Sequence, residues 1–144
     1  MKRFIALGLF SLFEITSVYS FNLPLVVYNQ FDDWVIPQIG IWNNATTTYG
    51  WQIGIVNISN NEIFGTQLGV VNISSTLAGF SLGVVNYSED MSGVQFGIYN
   101  YADWGIGIQI GLVNYSSRFT GFKIGSVNVD DTIYAIGVLF CFSR

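Results

Sequence analysis

Seven copies of one short unit fill most of this chain and leave it few ways to fold. The unit reads Gly-x-Gln-Ile-Gly-Val-Val-Asn. Its second glycine recurs at Gly40, Gly54, Gly69, Gly83, Gly97, Gly111 and Gly125. An asparagine follows three residues later each time, at Asn43, Asn57, Asn72, Asn86, Asn100, Asn114 and Asn128. The steps are 14, 15, 14, 14, 14 and 14 residues. So regular a period marks one supersecondary unit copied end to end.

Numbering the unit from its first glycine shows what each copy dictates. Position 1 is Gly50, Gly65, Gly79, Gly93, Gly107 and Gly121, with Ile36 in the earliest copy. Side chains alternate along a strand, so positions 2, 4 and 6 share one face. Position 4 reads Ile39, Ile53, Leu68, Leu82, Phe96, Ile110 and Ile124; position 6 reads Ile41, Ile55, Val70, Val84, Ile98, Leu112 and Ser126. Position 2 is mostly apolar, with Pro37 and Thr66 as exceptions. The opposite face carries position 3, which reads Gln38, Gln52, Gln67, Ser81, Gln95, Gln109 and Lys123, and position 5, which is always glycine. Period-two alternation predicts strands. Glycine inside a strand weakens it, so its recurrence at one site implies a sharp bend or a close approach of another backbone.

Polar clusters separate the copies: Ser59-Asn60-Asn61-Glu62, Ser74-Ser75-Thr76, Ser88-Glu89-Asp90, Ala102-Asp103, Ser116-Ser117-Arg118 and Asp130-Asp131-Thr132. These residue types favour solvated turns. A strand of ~10 residues and a turn of ~4 account for the period. Two architectures fit. The expected one is an antiparallel up-and-down meander of about eight strands closing into a shallow barrel, because closure removes aggregation-prone edges. Its strands fall near 34–43, 49–58, 63–73, 77–87, 91–101, 104–115, 119–129 and 133–142, and residues 21–29 add a strand or cap the rim. Tyr134, Ile136, Val138, Phe140 and Phe142 alternate along the last of these, like the final strand of an outer-membrane barrel. The alternative is a β-solenoid of 14-residue coils, which the unvarying asparagine favours because every coil then sees the same surroundings. Uninterrupted alternation, and connections too short to return a strand to parallel pairing, favour the meander.

Charged residues are only 10 % of the chain and aromatics 17 %. Ordinary soluble domains carry roughly 25 % charge, so the apolar face is expected to point outward, away from bulk water. The wet side of a sheet normally holds more charge than the single Lys123. A band of seven apolar-face residues in a tilted barrel covers nearly 18 Å, short of the ~25 Å of an outer-membrane band.

Residues 1–20 read as a secretory signal peptide: Lys2 and Arg3, an apolar stretch from Phe4 to Phe13, and Val18-Tyr19-Ser20 before the cut. Residues 21–144 form a single β-repeat domain. Removing the leader takes the chain from 5 basic and 9 acidic residues to 3 and 8, a net charge of −5. That balance excludes a phosphate-neutralising surface, so no nucleic-acid partner is expected. Cys141 is the only cysteine, so no internal disulfide forms, which fits a bacterial envelope better than a small disulfide-built scaffold.

The copies Gly50 to Asn57, Gly65 to Asn72 and Gly107 to Asn114 resemble the repeats of a family of uncharacterised exported bacterial surface proteins. The resemblance covers residues 36–140. It implies an all-β closed assembly, similar to the petal-like barrel called the β-flower, and an envelope or surface location. It brings no activity and no catalytic residues. The chain departs from it at Ser81, at Lys123 and in the last repeat, where Tyr134 to Phe140 lacks both Gln and Asn.

These readings converge on a non-enzymatic envelope protein, in or on the outer membrane, with membrane lipid as its partner. A soluble periplasmic module that binds lipid or another apolar ligand is the alternative. No histidine exists, Cys141 has no base nearby in sequence, and the acid pairs Asp32-Asp33, Glu89-Asp90 and Asp130-Asp131 read as turns, so no catalytic residue, metal or cofactor is expected. The position 3 row reads as a polar face that would line a lumen. The glycines and asparagines read as structural. Asn-x-Ser at Asn57, Asn72, Asn86 and Asn114 matches a glycosylation acceptor, but Asn100 and Asn128 keep the asparagine without it, which favours a backbone-bonding role.

Overall fold

The computed structural model describes residues 26–34, 37–131 and 133–141; the signal-peptide reading and Phe142 lie outside them. Eight strands follow one another: β1 (Val26–Trp34), β2 (Gln38–Ile53), β3 (Val56–Leu68), β4 (Val71–Leu82), β5 (Val85–Phe96), β6 (Tyr99–Ile110), β7 (Val113–Asp130) and β8 (Ile133–Cys141). They pair in chain order from β1 to β8. Pairing is parallel from β1 through β7, and only β7 with β8 is antiparallel. Asn72 sits beside Asn86, and Asn86 beside Asn100, so each copy stacks on the one before it. The fold is therefore a β-solenoid. The sheet order is linear and its ends β1 and β8 do not meet, so neither the expected barrel nor the closed assembly implied by the family resemblance forms.

The barrel expectation fails for a physical reason. It treats each copy as a straight strand that needs a separate return. Each copy is instead a bent strand that goes round by itself. One bend falls at position 5 and position 6, where the backbone leaves the strand at Gly69–Val70, Gly83–Val84, Gly97–Ile98 and Gly111–Leu112. Gln67 Nε2 then donates to the Ile73 carbonyl of its own coil at 3.3 Å, and Gln95 Nε2 to the Tyr101 carbonyl at 3.1 Å. The two limbs of a coil thus face each other across a narrow interior.

Glycine is required at both recurring sites. At position 1 the φ angle is positive, +150° at Gly65 and +149° at Gly93, a region L side chains avoid. A Cβ on Gly93 would lie 1.9 Å from the Gly79 carbonyl oxygen of the previous coil. At position 5 a Cβ on Gly97 would lie 2.4 Å from the Gly83 oxygen and 2.6 Å from Asn86 Nδ2. Close backbone approach and bending both account for the repeated glycine.

The one 15-residue step has a local explanation. The extra residue is absorbed in the polar turn, where the register slips between Ser59 and Glu62. Asn60 Nδ2 donates there to Asn44 Oδ1 at 2.8 Å, and Ser75 Oγ donates to the Asn60 carbonyl at 2.9 Å. The stack on either side keeps its register. Among the described residues an apolar file of large side chains, Ile63, Leu77, Met91 and Phe119 in register at position 13, runs up the core, with Ala102 packed beside it. Its fourth member is Gly105, where a Cβ would lie 2.6 Å from the Phe119 ring, so the small residue makes room for the large one.

Candidate functional site

Beside the apolar file the interior is polar, and one side of the exterior is apolar. All seven repeat asparagines are 0 % exposed, and the position 3 residues Gln38, Gln52, Gln67, Ser81, Gln95, Gln109 and Lys123 are 0–2 % exposed. Buried amides are costly unless bonded, and the asparagines are bonded throughout. Asn72 Nδ2 donates to Asn86 Oδ1 of the next coil at 2.9 Å and to the Leu82 carbonyl at 2.9 Å. The same pair of bonds recurs at Asn43, Asn57, Asn86, Asn100 and Asn114. One amide therefore stitches coil to coil and also gives the carbonyl before the bend a second donor, beside the backbone N–H of the previous coil's position 5 glycine. Asn128 ends the ladder by donating to the Gly137 carbonyl of β8 at 2.8 Å.

The glutamine file is similar: Gln52 donates to Gln38 Oε1 at 2.6 Å, Gln67 to Gln52 at 2.9 Å and Gln109 to Gln95 at 2.8 Å. Ser81 interrupts it and bonds Asn86 Oδ1 instead, at 2.7 Å. Lys123 reaches farther, to Ser116 Oγ and the Val129 carbonyl, with its ammonium 5.0 Å from the Phe119 ring centroid. Gln109 Oε1, which another glutamine would have met, has no hydrogen-bond partner. The row is thus packed core rather than the wall of an open lumen. The asparagine amide nitrogens are equally enclosed.

One buried file lies where the sequence reading placed solvated turns. Ser59, Ser74, Ser88 and Ser116 at position 10 are 0–1 % exposed. Their recurrence from Ser59 to Ser116 in every coil but the one with Ala102 was the available signal, together with the Leu77, Met91 and Phe119 that follow three residues later. A further copy also went uncounted: Asn29 in β1 stands beside Asn43 in register.

The outer corner of the coil, positions 4 to 7, bears no charged residue in any of the seven copies. Position 6 projects farthest: Ile41, Ile55, Ile98 and Leu112 are 51–56 % exposed. Leu82, Phe96 and Ile124 at position 4 and Trp51 and Phe122 at position 2 extend the surface. Glycine 5 floors a shallow trough between the position 4 and position 6 rows, from Gly69 to Gly125. So the apolar face does point outward. A contiguous exposed apolar surface of this kind marks an interaction site. Among the described residues the interior is filled by packed side chains.

Charges collect on the opposite edge. Glu62, Glu89, Asp90, Asp103, Arg118, Asp130 and Asp131 occupy the polar turns of successive coils. Between corner and edge stand Tyr87, Tyr101 and Tyr115 at position 9, stacked with ring centroids 4.8 and 5.4 Å apart. Burial by its neighbours, and then the Asp103 carboxylate, raise the Tyr101 phenol above the ordinary tyrosine range. On the far flank Tyr49 stacks on Phe64 at 5.3 Å. Among the described residues no three His, Cys, Asp or Glu side chains come together to hold a metal, and no helix is long and apolar enough to cross a membrane. Compared with protein families, characterised proteins and solved structures, the chain finds no match in any of the three.

Proposed function

We propose that this chain is a non-enzymatic protein of the bacterial cell envelope, exported and held against a lipid surface by its outer corner, where it plays a structural or interaction role. One observation carries the reading: the coil is inverted, with its amides inside and, apart from one core file, its large aliphatic side chains at the surface. Burying exposed apolar surface is worth roughly 25 cal/mol per Å², and a corner repeated over seven coils offers it as a continuous strip. The leader-like residues 1–20 and the similarity of the repeats to exported surface proteins support the envelope location. The reading keeps the apolar-out expectation and replaces the spanning barrel with a solenoid.

Fractionation of cells expressing the chain tests this. The protein should sediment with envelope membranes, resist high salt and carbonate, and come off in detergent. Quantitative recovery in the soluble periplasmic fraction would sink it and turn attention to the soluble ligand-binding alternative.

A further inference from the structure

We infer that the solenoid lies flat on the bilayer, its axis parallel to the membrane plane, with positions 4, 6 and 7 immersed in one leaflet and the tyrosine file at headgroup level. This rests on the lipid-surface reading above and adds an orientation and a depth to it.

The distribution of charge decides the orientation. Carboxylates run along the polar edge from Glu62 to Asp130, five coils apart, or ~24 Å at ~4.8 Å per stacked strand. The hydrocarbon core of a bilayer is ~30 Å thick. A rod standing upright would hold Glu62, Glu89, Asp90, Asp103 and Arg118 inside or at the rim of that layer, where charged side chains are excluded. Lying with the corner down keeps every one of them in water. It also puts the carboxylates on the side away from anionic headgroups, so the charge pattern matches a surface that offers hydrocarbon first.

The aromatic residues set the depth. Tyrosine has an apolar ring and a polar tip, and it collects where hydrocarbon meets headgroups. Tyr87, Tyr101 and Tyr115 occupy that boundary on one flank of the corner. Tyr49 and Trp51, 45 % and 56 % exposed, occupy it on the other. Both flanks lie between an uncharged corner and a charged edge, so immersion stops at the rings.

The tryptophans supply the test. Trp42 is at position 7 on the corner, Trp51 at position 2 beside it, and Trp104 at position 12 on the polar edge; all three are at least 36 % exposed. Protein recovered after export, with only one of these retained and the other tryptophans changed to Phe, would be bound to phosphatidylcholine vesicles carrying brominated acyl chains. Quenching of Trp42 at least about threefold stronger than that of Trp104, with Trp51 in between, is the expected result. In parallel, Ile98→Asp with Leu112→Asp should lower vesicle partitioning at least about tenfold, while Ser117→Asp on the polar edge leaves it unchanged. Circular dichroism confirms the fold of each variant. Vesicle binding with all three tryptophans quenched alike overturns the orientation and leaves the lipid reading standing. No vesicle binding by the unaltered protein overturns both. A stable dimer that ignores vesicles and dissociates on Leu112→Asp also overturns both, because the corner then docks a second copy.

Discussion

The inner wall and the outer corner of each coil are built from opposite chemistry and tolerate variation differently. On the inner wall, position 8 is asparagine in all seven copies. On the outer corner, position 6 is Ile, Val, Leu and once Ser. The asparagine has two donors and one acceptor committed at fixed distances, to the next coil's amide, to a bend carbonyl and to the previous coil's amide. Nothing of another shape can complete that set. The corner residue has only to be apolar. Directional bonding fixes identity, whereas hydrophobic contact fixes only character. The comparison also shows how a chain with so few charges can hold together with its large aliphatic side chains outside: hydrogen-bond ladders, beside one thin apolar file, supply the coil-to-coil cohesion.

Changes to the inner wall should break the stack, and changes to the corner should leave it intact. Gly93→Ala has the largest expected effect, because its Cβ would meet the Gly79 oxygen at 1.9 Å on a backbone of positive φ. A loss of about 4 kcal/mol or more, seen as a missing or strongly shifted thermal transition, is expected. Asn86→Leu comes next. It is close in size but strips the Asn100 carboxamide oxygen of its donor, the Asn72 amide of one of its two acceptors and the Phe96 carbonyl of the second donor it has beside the Gly83 N–H. Denaturant titration should show a cost of about 3 kcal/mol, and a change under about 1 kcal/mol would mean the ladder contributes little. Lys123→Gln runs the other way. It removes a buried ammonium and gives Gln109 Oε1 the donor it lacks. Stability should rise by about 1–3 kcal/mol, and a fall would mean that the ammonium's bonds to Ser116 and Val129 outweigh its burial. The smallest effect belongs to the corner: Leu112→Ser, at 56 % exposure, should change stability by no more than about 0.5 kcal/mol. A substantially larger loss would show that the corner is buried in solution.

Much of this organisation was legible in the sequence, and one misreading accounts for most of what was not. The period, the all-β character, the outward apolar face and the structural character of the glycines follow from residues 36 to 128 alone. The strand bounds do not: the expected strands 77–87 and 91–101 run across the breaks at Gly83–Val84 and Gly97–Ile98, and the expected turn at 88–90 lies inside β5. The unvarying asparagine already pointed to stacked coils. Alternation was then carried straight through position 5, as if Met91 to Asn100 were one flat strand. Gln95 and Asn100 are both buried, although five residues separate them, and an unbent strand would send them to opposite faces. The bend at Gly97–Ile98 turns a corner and resets the alternation. Glycine signals such a site without saying which way the chain turns. The serines at position 10 were misplaced for a related reason. Ser88 stands beside Glu89 and Asp90, which are exposed, and composition alone does not separate it from them. Only its recurrence at Ser59, Ser74 and Ser116 does.

The most direct test of the inverted coil is NMR of the asparagine side-chain amides, read for hydrogen exchange and for contacts between copies. Stacked coils predict slow exchange at Asn57 through Asn114 and cross-peaks between asparagines one coil apart, such as Asn86 with Asn100, whose amide and oxygen lie 2.8 Å apart. Rapid exchange with no such cross-peaks would contradict the account, because antiparallel neighbours would carry these asparagines at opposite ends of adjacent strands.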